Sequence, residues 1–251
     1  ADYIATGHYA RVVHTEGKES VMLRGVDNNK DQTYFLCQLN QNQLNNSLFP
    51  IGELTKPEVR QIAEELDLPV AHKKDSTGIC FIGERDFREF LKNYIPAKSG
   101  KMVDIVSKKV IGEHQGIMYY TIGQRKGLGI GGNGEPWFVV GKDYDKNILY
   151  IAQGDSNKWL LSHGALITDV NWVSATKPEG EYDCTAKFRY RQRDNDVSLH
   201  FIDETTLYVT FKKPIKAVTP GQAAVFYDGD VCLGGGAIDK VYKDGKEIDY
   251  L

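Results

Sequence analysis

The sequence predicts an α/β segment followed by a β-rich remainder that ends in a small barrel. Three observations carry this expectation. Helix-period apolar faces lie before Pro96. After Pro96 the chain breaks into short β-branched and aromatic runs separated by glycine turns. From residue 165 onward such runs continue to the C-terminus, with turns expected at Pro220-Gly221 and Asp228-Gly229, the spacing of a barrel or sandwich.

The elements follow in order. Tyr3–Val13 reads as β-rich, its first strand ending at Gly7-His8-Tyr9, and Glu16-Gly17-Lys18 as a turn into a second apolar run, Val21–Val26. Asp27–Asp31 is polar and loop-like, and Thr33–Leu44 reads as helix. Residues 55–66 read as helix too. Thr55 and Glu58 have capping-box spacing, Pro57 is tolerated in the first turn, and Val59, Ile62, Ala63 and Leu66 form one apolar face. Residues 84–95 repeat that logic with Phe87, Phe90, Leu91 and Tyr94, and Pro96 stops the helix. Between these helices runs the polar loop Lys73–Cys80. Strands are expected at Val103–Val106, Val110–Ile111, Met118–Thr121, Trp137–Lys142 and Ile148–Ala152.

Composition narrows the class. The chain has 251 residues, 41% hydrophobic and 26% charged, which suits a soluble globular protein with a real core. No apolar run reaches membrane-span length, and no signal-peptide pattern opens the chain. The chain does not begin with Met and opens in strand-like sequence, so an N-terminal part is expected to be missing. Cysteines occur only at 37, 80, 184 and 232, too few for a disulfide scaffold and too dispersed for a metal pattern, which predicts a reducing, cytoplasmic setting. The net charge of −3 does not advertise a nucleic-acid binder, so any RNA contact must come from local clusters.

Four local features bear on chemistry. Cys80 follows the loop residues Ser76-Thr77-Gly78 and has Lys73, Lys74 and Arg85 near it in sequence. Positive charge and access favour a reactive thiolate, and the alternative is a buried structural cysteine. For Cys37, Cys184 and Cys232, which lie among apolar neighbours, the structural reading prevails. Gly127–Gly132 spells G-x-G-x-x-G, but a strand rather than a helix is expected after it, so a glycine-rich connection is favoured over a dinucleotide site. Gln124-Arg125-Lys126 precedes it and reads as loop charge or a phosphate contact. Residues 185–193 alternate as a strand would, placing Lys187, Arg189, Arg191 and Arg193 on one face and Phe188 and Tyr190 on the other. Such a stripe suits phosphates, or is simply a solvated face. Gly7, at the expected end of the first strand, allows close approach of a ligand to the backbone or is an ordinary strand-end glycine.

Six blocks, in order, resemble the signature segments of the tRNA-specific 2-thiouridylase family. They are Ala5-Thr-Gly-His-Tyr-Ala-Arg11, Asn29-Lys-Asp-Gln32, Asp75-Ser-Thr-Gly-Ile-Cys-Phe-Ile-Gly83, Tyr120-Thr-Ile-Gly-Gln-Arg-Lys-Gly-Leu-Gly129, Phe188-Arg-Tyr-Arg-Gln192 and Cys232-Leu-Gly-Gly-Gly236. The resemblance implies residues 1–84 as the late part of an α/β ATP-pyrophosphatase domain, 85–156 as a small central domain and 157–251 as a tRNA-binding β-barrel. The phosphate loop of the Ser-Gly-Gly-x-Asp-Ser type and the family's first catalytic cysteine are not in this sequence.

Residue by residue, the resemblance implies that Gly7 meets ATP through its backbone and that His8 lies near the tRNA. Lys30, Asp31 and Gln32 would touch tRNA, as would Arg189, Tyr190 and Gln222 in the barrel. Cys80 would be the persulfide carrier. The implied reaction is ATP-dependent, presumes magnesium with the nucleotide, and thiolates the wobble uridine at C2 with sulfur from a donor protein, a desulfurase or relay. Two other readings stand beside it: a non-catalytic RNA-binding module, and a different adenylating enzyme of the ATP-pyrophosphatase type.

Overall fold

A computed structural model describes residues 1–73, 90, 91, 93–173 and 177–248. Cys80 and most of the helix expected at 84–95 lie outside the described residues. The chain divides into two units. The first holds Ala1–Lys73, His163–Pro214 and Pro220–Gly245, and the second holds the strands between Gly100 and Gln153 together with Ile215–Thr219.

The N-terminal segment runs β1 (Ile4–Ala5), β2 (Ala10–Val13), β3 (Val21–Arg24), α1 (Thr33–Leu36), α2 (Gln41–Asn45), β4 (Ser47–Leu48) and α3 (Lys56–Glu65). The β-rich stretch Tyr3–Val13 forms two strands, the first ending just before Gly7 as expected. Tyr9 leaves the ladder because Gln32 takes both its backbone groups: Tyr9 N donates to the Gln32 Oε1 (3.0 Å), and Gln32 N donates to Tyr9 O (2.9 Å). β1 pairs in parallel with β4, and β2 with β3 form a hairpin.

The helix expected at Thr33–Leu44 is likewise two. The Asn171 side-chain amide donates to Cys37 O and Leu39 O, 2.9 Å each, which ends the first turn. Asn40 then restarts the helix, its side chain accepting from Gln43 N (2.9 Å) while Gln43 Oε1 accepts from Asn40 N (3.0 Å). α3 begins as predicted, with Thr55 N and Oγ1 both donating to the Glu58 carboxylate (2.6 and 2.7 Å). Its apolar face is not covered by the described residues: Ile62 is 42% and Leu66 65% exposed.

In the second unit, β5 (Gly100–Asp104), β6 (Val110–His114), β7 (Trp137–Asp143) and β8 (Ile148–Gln153) form a sheet in the order β6-β5-β8-β7, with β5 and β8 parallel. Met102, Val139, Leu149 and Ile151 are buried at its centre. The strand expected at Met118–Thr121 is instead a 3-10 turn, Ile117–Tyr119, closed by Tyr119 N donating to Gly116 O (3.1 Å). The glycine run 127–132 passes through irregular backbone into β7 with no helix, as expected.

The barrel consists of β9 (Leu161–Trp172), β10 (Glu181–Lys187), β11 (Asn195–Phe201), β12 (Leu207–Lys216), β13 (Ala223–Asp228) and β14 (Val231–Lys243). Their order is β13-β10-β11-β12-β9-β14, and pairing of β13 with β14 closes the ring. The β2–β3 hairpin joins this sheet through Leu23 opposite Val231. β13 is buried on both faces. Val225 and Tyr227 pack with Met22, Tyr34, Cys37 and Leu44 of the N-terminal segment, and Phe226, on the opposite face, stacks on Trp172.

Gly235 shows how close this packing is: a Cβ there would lie 2.5 Å from Ala224 O and 3.2 Å from Cys37 Sγ. The Gln38 amide donates to Gly235 O (2.9 Å), so the glycine run 234–236 is where α1 seats on the barrel. Among the described residues, no helix is long and apolar enough to cross a membrane.

Candidate nucleic-acid interface

The site begins with Asp31. Its carboxylate is buried, and Oδ1 accepts from Gly25 N (3.1 Å), Thr33 N (3.3 Å) and Thr33 Oγ1 (3.0 Å). Asp31 was expected to touch tRNA with Lys30 and Gln32. The structure turns its side chain inward, where it fixes the start of α1. Thr33 Oγ1 also meets the Tyr227 hydroxyl at 3.2 Å, anchoring that start to β13. Gln32 clamps Tyr9, the residue after Gly7-His8, and is only partly buried; Lys30 is half-buried beside it. Gln32 and Asp31 therefore join the loop at Gly7-His8 to the barrel wall.

α1 then presents two aromatic rings in opposite senses. Tyr34 is buried, and its hydroxyl donates to Ala223 O (2.9 Å). Burial first, then the neighbouring Cys37 thiol, pushes the Tyr34 hydroxyl up to about 12, and the Arg189 guanidinium partly opposes this. Phe35 is 57% exposed. Its ring lies 4.5 Å from that of Tyr190, centroid to centroid. Gln222, exposed, immediately precedes Ala223, the acceptor of the Tyr34 hydroxyl.

Tyr190 comes from the segment 188–194, and here an expectation is corrected. The alternating stripe of Lys187, Arg189, Arg191 and Arg193 does not exist, because β10 ends at Lys187. Phe188 N donates to Gln192 Oε1 (2.8 Å), Gln192 N donates to Arg189 O (3.1 Å), and Arg191 takes a left-handed φ of 65°. The run is a turn between β10 and β11, not a strand. Arg191 and Arg193 remain exposed, and Arg189 is half-buried. Lys187 is interior, with its ammonium 3.9 Å from both the Asp31 and the Asp194 carboxylates.

Arg24 completes an ionic cluster that sequence reasoning missed. Its guanidinium is 3.0 Å from Asp194, 3.3 Å from Gly229 O through Nε, and 3.7 Å from the centre of the Tyr227 ring. Arg24 and Lys187 thus hold the far end of the 188–194 turn against the N-terminal hairpin. The partners Arg24 and Asp194 are 170 residues apart, so only the fold reveals the pair.

Gly7 lies two residues past β1, is exposed, and has nothing within 4 Å of where a Cβ would be. Open backbone at the carboxyl end of a parallel strand fits the approach of a nucleotide. His8 is half-buried, its ring nitrogen 2.9 Å from Thr6 Oγ1 and its ring edge-on to Phe49. The described thiols are poor nucleophiles. Burial raises Cys37 to about 11 and Cys184 to about 12, and pushes the fully buried Cys232 upward as well.

Three family descriptions match successive stretches of the chain. Residues 1–84 match the tRNA methyl transferase HUP domain, 88–153 the tRNA methyl transferase PRC-barrel domain, and 162–238 the aminomethyltransferase beta-barrel domain. The chain is 60% identical, over all 251 residues, to proteins named tRNA-specific 2-thiouridylase MnmA from Bacillus cytotoxicus, Bacillus cereus and Bacillus thuringiensis, and spans 67% of the length of each. An identity that high, unbroken across both units, shows that the chain belongs to the tRNA-specific 2-thiouridylase family.

Proposed function

We propose that the chain serves the 2-thiolation of the wobble uridine in tRNA, binding the RNA at the surface around Tyr190 and carrying the transferred sulfur on Cys80. The observation that carries this reading is the full-length identity to relatives named for that activity. The placement of the signature residues supports it. Arg189, Tyr190 and Gln222 belong to one end of the barrel, and Lys30-Asp31-Gln32 ties that end to Gly7-His8.

Each residue then has a physical task. Gly7 leaves room for the nucleotide against its backbone. ATP, when bound with magnesium, supplies the adenylyl group that makes the uridine C2 oxygen a leaving group. His8 faces the RNA near that loop. Lys30 and Gln32 border the RNA, while Asp31 holds Gly25 and the start of α1 through its buried hydrogen bonds. Arg189 offers a cation to phosphate, and Tyr190 an aromatic face.

Cys80 would receive sulfane sulfur from a donor protein as a persulfide and pass it to C2. A second cysteine, not in this sequence, would free that sulfur by forming a disulfide with Cys80, which an external thiol then reduces. The high pKa values of Cys37, Cys184 and Cys232 support giving this task to Cys80 by disfavouring its rivals.

The test is nucleoside mass spectrometry of substrate tRNA after incubation with ATP, a persulfide donor and an enzyme of the relatives' full length. Cys80→Ser should abolish 2-thiouridine while leaving tRNA affinity within about twofold, since serine cannot hold a sulfane sulfur. Cys37→Ser, Cys184→Ser and Cys232→Ser should each retain product in proportion to folded protein. Turnover by Cys80→Ser would remove Cys80 from the mechanism. Tight RNA binding without any thiolation by the wild type would favour a binding module instead.

A further inference from the structure

We propose that Phe35 and Tyr190 form a stacking platform for one unpaired nucleobase of the bound RNA. The proposal rests on the reading of this face as the tRNA surface and adds a residue, Phe35, and a ligand chemistry to it. An isolated exposed phenylalanine means little. Phe35 is not isolated. It is 57% exposed while its ring is 4.5 Å from Tyr190, tilted by 46°, and is met edge-on by the buried Tyr34 at 5.5 Å.

The helix that carries Phe35 is pinned at both ends. Asp31 and Thr33 hold its start, and Asn171 holds the carbonyls of Cys37 and Leu39 at its end. Tyr34, its neighbour, is pinned by its hydroxyl to Ala223 O. The aromatic surface is therefore rigid before any ligand arrives, and little entropy is lost on binding.

Charge selects the occupant. The turn that supplies Tyr190 also supplies Arg189, Arg191 and Arg193. The Arg191 guanidinium is 5.5 Å from the Tyr190 ring. Arg191 holds a left-handed φ of 65°, a conformation that glycine would adopt without strain. An aromatic pair rimmed by cations matches a base with its phosphates, because every base has a π face and a charged backbone. The base must be unpaired, since stacking within a duplex hides both faces.

The experiment measures dissociation constants of the full-length enzyme for substrate tRNA, for the same tRNA made abasic at one unpaired position at a time, and for a fully paired RNA hairpin. Phe35→Ala should weaken tRNA binding roughly 5- to 150-fold, the range for loss of one aromatic–base stack. Phe35→Trp should restore affinity to within about threefold, and Phe35→Leu should not. For one abasic tRNA, Phe35→Ala should have no further effect, and duplex binding should not change. Melting temperatures of the variants should fall only modestly, since the side chain is largely exposed and loses just its contacts with Tyr34 and Tyr190.

Unchanged tRNA affinity in Phe35→Ala would overturn the platform while leaving the tRNA reading intact. Full affinity in Phe35→Leu, or an equal loss on the paired hairpin, would also overturn it, the former pointing to an apolar protein contact. A wild-type enzyme that binds no tRNA would overturn both readings together.

Discussion

Replacing Arg24 by Met tests whether the buried ionic cluster organises the 188–194 turn, the turn proposed to bind RNA. Arg24 is only 6% exposed and has three partners: Asp194, Gly229 O and the Tyr227 ring. Removing one member of a buried pair typically costs about 3–5 kcal/mol. Here the orphaned Asp194 side chain is 42% exposed, so water recovers part of that cost, and Lys187 still stands 3.9 Å away. Methionine also fills part of the vacated volume. These corrections bring the loss down to about 2 kcal/mol, and the lost cation–π contact adds about 1 kcal/mol. A total of about 3 kcal/mol lowers the melting temperature of a domain of this size by roughly 6–12 °C.

Urea denaturation and thermal melting read the stability, and titration with tRNA reads the function. Affinity should fall even though Arg24 is buried, because Asp194 no longer tethers the turn bearing Arg189, Tyr190 and Arg191. The slope of log affinity against log salt should stay as in the wild type, since no phosphate contact is removed. Destabilisation below about 1 kcal/mol with unchanged affinity would refute the argument and return the cluster to the class of weak surface pairs.

Two further outcomes follow from the same geometry. Arg191→Gly should keep or slightly raise stability, by up to about 1 kcal/mol, because it relieves the left-handed backbone, yet it should weaken tRNA binding at low salt and reduce the salt slope by about 1. Alkylation mapped by mass spectrometry near neutral pH should modify Cys80 first, because burial raises the other thiols. Cys37, with its folded pKa raised to about 11, contributes stability that is complete below the ordinary thiol range near 9 and is lost as pH rises through about 11, which denaturation between those values would detect.

The barrel was legible because β12 buries alternate side chains over most of its length and turns separate the runs. β13 was harder. Ala224, Val225, Phe226 and Tyr227 are all buried, since the hairpin and α1 cover its outer face, and alternation disappears where both faces are covered. The basic stripe failed for a different reason. Period-two spacing marks a strand only if the backbone remains extended, and a single side-chain acceptor, Gln192 Oε1 on Phe188 N, was enough to turn it. The Phe35 surface left no local signal at all. An exposed phenylalanine in a short helix becomes meaningful only beside Tyr190, more than 150 residues away in sequence, a separation no local pattern reports.

The segment Lys30-Asp31-Gln32 then has a meaning beyond direct contact. Gln32 fixes the backbone of Tyr9, and with it the exit from Gly7-His8. Asp31 fixes Gly25 and Thr33 while facing Lys187 at 3.9 Å, and Lys187 ends the strand that leads to Arg189 and Tyr190. One buried carboxylate and one amide thereby join the loop assigned to the nucleotide and the turn assigned to the RNA. An Asp31 substitution should therefore change RNA binding without Asp31 ever touching RNA, and it should do so together with a loss of stability. A Gln222 substitution, on an exposed side chain, should change RNA binding alone. That contrast separates a residue that builds the surface from one that forms it, although both belong to the same resemblance.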